Sequence, residues 1–147
     1  MILNKPCSAI IFPGQGSQYV GMGVALADKY EAAKEVFDEV DEALGQGLFK
    51  VIKDGPESEL RLTNNAQPAL MAVSLAIERV IENISNHNIQ NMVSILAGHS
   101  LGEYSALTAE GSFSMADADR LRKLRGESMQ TAGPVGHAGM AALLGAE

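Results

Sequence analysis

Residues 92–103, MVSILAGHSLGE, decide the fold class of this 147-residue chain. An apolar run leads directly into a G-x-S-x-G pattern, which is typical of a buried strand, a sharp turn and a helix. Gly98 and Gly102 lie two positions either side of Ser100, where so tight a turn leaves almost no room for a side chain. The pattern predicts that Ser100 is a nucleophile at the apex of the turn. In the alternative, Ser100 only caps the helix that follows a glycine-rich turn.

A second glycine-rich turn follows a second predicted strand. Residues 9–12, AIIF, are typical of a buried strand, and the loop PGQGSQ follows at residues 13–18. Open parallel sheets bind ligands at the carboxyl ends of their strands, where both turns are expected to lie. The loop is therefore expected to donate a second backbone N–H to the oxyanion that forms when Ser100 attacks a carbonyl. A weak phosphate cradle and a plain loop are the alternatives; no Gly-Lys-Ser/Thr follows, so it is not a Walker A motif.

Composition predicts a globular protein in the cytoplasm. Hydrophobic residues make up 46% of the chain and charged residues 20%. No apolar run approaches the ~20 residues that cross a bilayer, and the N-terminus does not resemble a secretory signal, so no membrane partner is expected. Eleven Lys and Arg against 18 Asp and Glu give a net charge of -7, which argues against nucleic acid as a partner. Cys7 is the single cysteine, which excludes an internal disulfide, and no metal site or cofactor is predicted.

The remaining pattern predicts an α/β architecture, in which a parallel sheet is flanked by helices. Apolar residues recur at helical spacing, and glycine or proline separates the segments. The predicted helices cover residues 21–29, 31–44, 56–60, 68–84, 101–110 and 115–132. Pro68 is expected at the first position of its helix, and Ser114 is expected to cap the last one. A final strand is predicted over residues 139–144.

Arg125 is a candidate for binding a carboxylate. It follows Leu121 by one helical turn, so it borders the face on which Leu121 and Leu124 are expected to enter the core, while Arg122 points to water. An inward guanidinium needs an anionic partner, because an unpaired buried charge is costly. A substrate carboxylate and a structural salt bridge to a nearby acid such as Glu103 both meet this need, and spacing alone does not distinguish them.

Four sequence blocks together resemble the malonyl-CoA:acyl-carrier-protein transacylases, which load malonyl units for fatty acid and polyketide synthesis. The blocks are FPGQGSQ at 12–18, QPAL at 67–70, GHSLGEY at 98–104 and RG at 125–126. The resemblance covers essentially the whole chain. It implies malonyl-CoA as substrate, acyl carrier protein as partner and no cofactor. It also implies a hydrolase-like core, of which residues 1–132 form part, and a small ferredoxin-like subdomain that begins at residues 133–147.

The resemblance also implies roles for individual residues. Ser100 would carry the malonyl group as an ester, the backbone N–H groups of Gln15 and Leu101 would stabilise the oxyanion, and Arg125 would bind the malonyl carboxylate. Three further residues match positions near the acyl pocket of the family, namely Gln67, His99 and Met129. From the residues alone, Gln67 could equally cap its helix, and Met129 could be a core residue.

The family pattern has its catalytic histidine far downstream, in a chain about twice as long. His87 lies in a polar stretch, His99 adjoins the nucleophile, and His137 lies in a loop where the family has no base. The general base is therefore expected beyond Glu147, which predicts that this chain is an N-terminal half with weak or no activity. A serine esterase and a fragment that folds or only binds acyl-CoA are the alternatives. The strand at 139–144 would lack its partners and could pair with a second chain.

Overall fold

The computed structural model of the chain describes residues 8–132, apart from the side chains at positions 119, 123, 126, 127 and 130. Cys7, His137 and the strand predicted at 139–144 lie outside these residues. So does the ferredoxin-like subdomain that was predicted to begin at residue 133. The self-association predicted for that strand therefore stays a prediction.

The described part consists of two strands and eight helices. In chain order these are β1 (Ala9–Phe12), α1 (Val24–Lys29), α2 (Glu31–Leu44), α3 (Leu48–Asp54), α4 (Glu57–Leu60), α5 (Thr63–Ser85), α6 (Ile89–Met92), β2 (Ile95–Gly98), α7 (Gly102–Ala109) and α8 (Met115–Thr131). The predicted bounds of α2 are confirmed. The cap of α8 is confirmed as well, because Ser114 Oγ accepts a hydrogen bond from the Asp117 backbone N–H at 3.1 Å.

Helix α5 differs from its prediction at the N-terminal end. It begins at Thr63, and Pro68 lies inside the helix rather than at its first position. The first turn is held by contacts that local spacing does not reveal: Asn65 Nδ2 donates to the Glu59 carbonyl at 3.0 Å, and the Ala66 N–H donates to the Leu62 carbonyl at 2.7 Å. These bonds stabilise helical turns ahead of the proline, which itself has no N–H to donate.

The two strands form a parallel sheet in which Ala9 pairs with Ile95 and Phe12 with Gly98. Successive side chains along a strand point to opposite faces. Phe12 is 4% exposed, whereas Ile11 is 72% exposed and Ile95 is 55% exposed. The prediction of a buried first strand is therefore wrong for Ala9 and Ile11, because helices cover one face of the sheet only, within the described part of the chain.

The main apolar core lies where α2 packs against α5. Phe37 in α2 is 1% exposed and stacks on Phe49 of α3, with ring centroids 4.4 Å apart and an interplanar angle of 28°. Val36 and Ile52 are fully buried beside them. Across residues 8–132, none of the helices combines the length and the apolar character needed to traverse a membrane.

Candidate active site

The segment between β2 and α7 has the conformation of a nucleophile elbow. Ser100 has a φ of 55°, in the left-handed region that side-chain-bearing residues rarely adopt. The chain turns tightly on either side, since the Gly102 N–H donates to the His99 carbonyl at 2.9 Å and the Glu103 N–H to the Ser100 carbonyl at 3.2 Å. The Ser100 side chain is exposed at the apex. The predicted strand, turn and helix are thus present in that order.

Both flanking positions require glycine for steric reasons. A Cβ at Gly98 would collide with the carbonyl carbon of Gly102 and the backbone nitrogen of Glu103. A Cβ at Gly102 would lie 2.8 Å from the Phe12 carbonyl carbon and 2.8 Å from the Pro13 oxygen. The helix can therefore start directly against the sheet only because neither residue has a side chain.

The loop at residues 13–18 lies beside the elbow, as predicted for two turns at the same sheet edge. Phe12 and Gly98 are paired at the ends of β1 and β2, and the His99 N–H donates to the Phe12 carbonyl at 3.0 Å. Gly14 is buried against the elbow: a Cβ there would lie 2.8 Å from the His99 carbonyl oxygen and would collide with the imidazole Nδ1. The loop and the elbow therefore contact each other through Gly14 and His99.

Among the backbone N–H groups near Ser100 that have no protein acceptor within residues 8–132 are the two predicted oxyanion donors. One belongs to Leu101, which precedes the first residue of α7, and the other belongs to Gln15 in the exposed part of the loop. The first N–H groups of a helix have no intrahelical partner, and they favour negative charge. These groups are chemically suited to stabilise an oxyanion.

Arg125 is brought to Ser100 from α8. Its Nη2 donates a hydrogen bond to Ser100 Oγ at 2.9 Å, and its guanidinium carbon lies 6.0 Å from the centre of the Tyr104 ring. Among the side chains that the structure describes, no carboxylate lies within ion-pair distance of Arg125, and Glu103 is exposed without pairing to it. The alternative of a structural salt bridge to Glu103 is therefore wrong here.

The face of α8 that points inward differs from the prediction. Arg122 is buried at 6% exposure, whereas Leu121 is 40% exposed and Leu124 is 59% exposed. The inward face contains Ala118, which is fully buried, then Arg122 and the half-buried Arg125, at positions i, i+4 and i+7. The prediction that Arg125 points inward is thus correct, but the prediction that Leu121 and Leu124 share its face is wrong.

The three predicted pocket residues have different surroundings. Gln67 is 4% exposed, and its Nε2 donates to Gln15 Oε1 at 3.2 Å; it does not cap α5, whose N-cap residue is Leu62. His99 is exposed, with its ring against Gly14. Met129 is 45% exposed, so the alternative that it is a core residue is wrong.

The side chains of the described histidines, His87 and His99, form no hydrogen bond with Ser100 Oγ. His87 is exposed, and its Nδ1 lies 2.7 Å from the Ser85 carbonyl oxygen. In the described part of the chain, the hydrogen-bond partner of Ser100 Oγ is Arg125, and no group of three or more His, Cys, Asp or Glu side chains is arranged to hold a metal ion.

Two grooves border the sheet, one at each free edge. A groove of about 620 Å³ runs along β2 and α7, and a cavity of about 100 Å³ lies between β1 and α5. Glu78 lines the smaller cavity among isoleucines. The pKa of the Glu78 carboxyl is raised to about 7, chiefly by burial and also by the nearby Glu82, while Arg79 opposes the shift. The sequence patterns did not single out Glu78, although an acidic residue between Ile77 and Ile81, beside an apolar stripe of the helix, is a recognisable sign of a partly buried charge.

Comparison with known proteins agrees with this architecture. The chain matches the acyl transferase domain family over residues 9–147. It is 49% identical over 137 residues to the malonyl CoA-acyl carrier protein transacylase of Bacillus subtilis strain 168, a match that covers 93% of this chain and 42% of that protein. It therefore spans about two fifths of the length of such relatives.

Solved structures give the same result. An acyl-carrier-protein S-malonyltransferase from Bartonella henselae superposes with a TM-score of 0.79 at 53% identity, over 86% of this chain and 40% of that one. A malonyl transacylase in complex with a type II polyketide synthase acyl carrier protein superposes with a TM-score of 0.76 at 44% identity, with the same coverage of 86% and 40%. The chain belongs to the acyl transferase domain family.

Proposed function

We propose that this chain provides the nucleophile, the oxyanion donors and the carboxylate-binding arginine of a malonyl-CoA:acyl carrier protein transacylase. The observation that carries the proposal is the 2.9 Å hydrogen bond from Arg125 Nη2 to Ser100 Oγ. A guanidinium at this distance can reach the free carboxylate of a malonyl group esterified to Ser100. Guanidinium binds carboxylate through two parallel hydrogen bonds, which an uncharged acyl group cannot accept.

In the first half of the reaction, Ser100 Oγ attacks the thioester carbonyl carbon of malonyl-CoA while its proton passes to a general base. The backbone N–H groups of Leu101 and Gln15 stabilise the oxyanion, and each such donor is worth about 100- to 1,000-fold in rate. The C–S bond then breaks, coenzyme A leaves as the protonated thiol, and malonyl-Ser100 remains. The phosphopantetheine thiol of acyl carrier protein attacks this ester in the second half and regenerates the Ser100 hydroxyl.

The general base is a histidine outside residues 8–132 in this proposal. His87 and His99 form no hydrogen bond with Ser100 Oγ, and the family resemblance implies a base downstream of residue 147. Without a triad member, an enzyme retains about 1,000- to 10,000-fold acceleration over water from its oxyanion hole and its binding contacts. Slow acylation of Ser100 is thus expected even from this chain alone.

Intact-mass spectrometry after incubation with malonyl-CoA tests the acylation step. One malonyl adduct is expected, and it should be absent from Ser100→Ala. Absence of an adduct from the unmodified chain would contradict the proposal for these 147 residues. An adduct that water removes as fast as acyl carrier protein would instead identify a serine esterase.

Arg125→Ala tests the substrate assignment. The rate of adduct formation with malonyl-CoA relative to acetyl-CoA should fall by about 30-fold or more, as for the loss of a charge pair at a binding site. Arg120→Ala is the matched control, since Arg120 lies exposed on the same helix and pairs with Asp117 at 3.6 Å. An unchanged preference in Arg125→Ala would exclude Arg125 as the carboxylate ligand.

A further inference from the structure

The loop that carries Gln15 has few restraints of its own. Residues 15–17 are exposed, and Gly16 has a φ of 106° with open space around the position of a Cβ. The bond from the Gly16 N–H to Gln18 Oε1, at 2.8 Å, closes a local turn but does not tie the loop to the rest of the fold. A backbone N–H on such a loop stabilises an oxyanion only if the loop is held in place, because electrostatic stabilisation depends on donors that are already oriented.

One attachment is steric and comes from the elbow. Gly14 is buried and packs against His99, so that a Cβ at Gly14 would lie 2.8 Å from the His99 carbonyl oxygen. This contact fixes the residue before Gln15 relative to Ser100. Within residues 8–132, no backbone hydrogen bond holds the Gln15 N–H.

The second attachment is a hydrogen bond from α5. Gln67 Nε2 donates to Gln15 Oε1 at 3.2 Å, across 52 residues of sequence. Gln67 is 4% exposed and lies in the 23-residue helix α5, so its side chain has a fixed position. Buried amides are almost always hydrogen-bonded, and the acceptor of this one among the described residues is the Gln15 side chain.

We propose that Gln67 is a positioning residue, which orients the Gln15 backbone N–H through the Gln15 side chain. The inference deepens the proposed function and rests on it, because the Gln15 N–H matters for the reaction only if Ser100 forms an oxyanion. Gln67 then needs no contact with the acyl group. The loop has two attachments at adjacent residues: His99 contacts Gly14, and Gln67 bonds to Gln15. Together they fix the orientation of the peptide that joins Gly14 to Gln15.

The first readout is backbone order, which does not depend on activity. In the ¹⁵N-labelled 147-residue chain, the order parameter of the Gln15 amide should be near the rigid value of about 0.85 and should fall below about 0.6 in Gln67→Met. Methionine has nearly the same length and fills the same buried space without donating a hydrogen bond. Gln15→Glu retains an acceptor at an exposed position, so its order parameter should stay near that of the unmodified chain.

Ser74→Ala is the matched control for damage to α5. Ser74 is a buried polar residue on the same helix, and its Oγ donates to the Leu70 carbonyl at 2.7 Å, within the helix and without a bond to Gln15. The order of the Gln15 amide and the rate of malonyl adduct formation should both be unchanged in this variant. An equal loss of order in Ser74→Ala and Gln67→Met would assign the effect to helix packing and overturn the inference.

The second readout is a double-mutant cycle on the acylation rate. Gln67→Met and Gln15→Met should each slow adduct formation by up to about tenfold, the equivalent of one hydrogen bond, and the double variant should be no slower than either single variant. Additive losses would mean that Gln67 acts independently of Gln15. An unchanged order parameter in Gln67→Met would overturn the inference even where an adduct forms, whereas a missing adduct with the expected change in order would contradict only the proposed function.

Discussion

At the residue scale, Ser100 combines a strained backbone with an exposed hydroxyl. A φ of 55° is the left-handed conformation, which costs a residue with a Cβ about 1–2 kcal/mol. The surrounding bonds hold this conformation, among them the His99 N–H to the Phe12 carbonyl at 3.0 Å. Strain of this kind at an exposed nucleophile is common where a site needs a fixed reactive group.

A comparison of two variants measures that strain. Ser100→Gly and Ser100→Ala both remove the hydroxyl and its bond to Arg125, and they differ only in the Cβ. The glycine variant should be more stable than the alanine variant by about 1 kcal/mol, because glycine adopts positive φ without a steric cost. Urea unfolding of both chains provides the measurement. Equal stabilities, or a more stable alanine variant, would show that the elbow is unstrained.

Residue types and their spacing predicted the elbow because its requirements are local. A Cβ at Gly98 would collide with atoms within five residues of it, and a Cβ at Gly102 would collide with atoms at the end of the paired strand. A short sequence pattern therefore suffices to predict the elbow. The partners of Arg125 and Gln67 were not predictable in this way. Both bonds join side chains that are distant in sequence, and helical spacing limits only the face on which each side chain lies.

At the element scale, helix α5 connects three parts of the molecule. Near the N-terminal end of α5, Gln67 donates a hydrogen bond to Gln15 of the loop, and further along Glu78 lines the cavity beside β1. Glu82 Oε1 accepts the Ile89 N–H at 2.7 Å and so caps α6. Burial, together with the nearby Glu82 and against an opposing effect of Arg79, raises the pKa of Glu78 to about 7. Between pH 4.5 and about 7, the carboxyl therefore holds a proton in the folded state that the unfolded chain has released.

Glu78 should make the chain less stable as pH rises. Between its ordinary pKa of 4.5 and about 7, the folded state binds the proton and the unfolded state does not, so stability falls across this window. Glu78→Gln should remove this contribution and raise the free energy of unfolding at pH 8 by about 1 kcal/mol, since solvent screens part of the effect. Glu35→Gln, on the exposed side of α2, is the control and should leave the pH dependence unchanged. Parallel pH profiles for Glu78→Gln and the unmodified chain would contradict the assignment.

Elements were predictable where their apolar pattern is strong. The bounds of α2 follow from its periodic valines and phenylalanine, whereas α3 and α6 were missed because each is capped from another helix. Asp41 Oδ1 accepts the Phe49 N–H at 3.0 Å for α3, and Glu82 does the same for Ile89 in α6. Helix α8 has little apolar periodicity, and so its inward face could not be read from Leu121 and Leu124.

At the scale of the whole molecule, stability comes from the helices rather than from the sheet. The core between α2 and α5 surrounds Phe37, which is 1% exposed, while Ile11 of the sheet is 72% exposed. Pairing of β1 with β2 joins segments that six helices, α1 to α6, separate in the sequence, and sequence patterns predicted it only through the similar turns that follow the two strands. The predicted parallel sheet flanked by helices is therefore present as two strands with one covered face, within residues 8–132.

Truncation of one aromatic residue should show this distribution. Phe37→Ala should lower the free energy of unfolding by about 3–5 kcal/mol, because it removes the ring that stacks on Phe49. Ile11→Ala, a large-to-small change on the uncovered face, should cost less than about 1 kcal/mol. Chemical denaturation of the two variants checks both values. A greater loss for Ile11→Ala would place the main core at the sheet instead.

Under the proposed function, the contact between Arg125 and Ser100 also determines at which step a substrate is selected. In the unliganded chain, the guanidinium donates to the hydroxyl oxygen, so one lone pair of the nucleophile is already engaged. A thioester that brings its own carboxylate offers Arg125 a stronger acceptor and releases that lone pair as it docks. An acetyl thioester brings no such anion, and it meets a less reactive serine even when it is bound. Under the proposed mechanism, discrimination therefore acts on the rate of attack as well as on affinity.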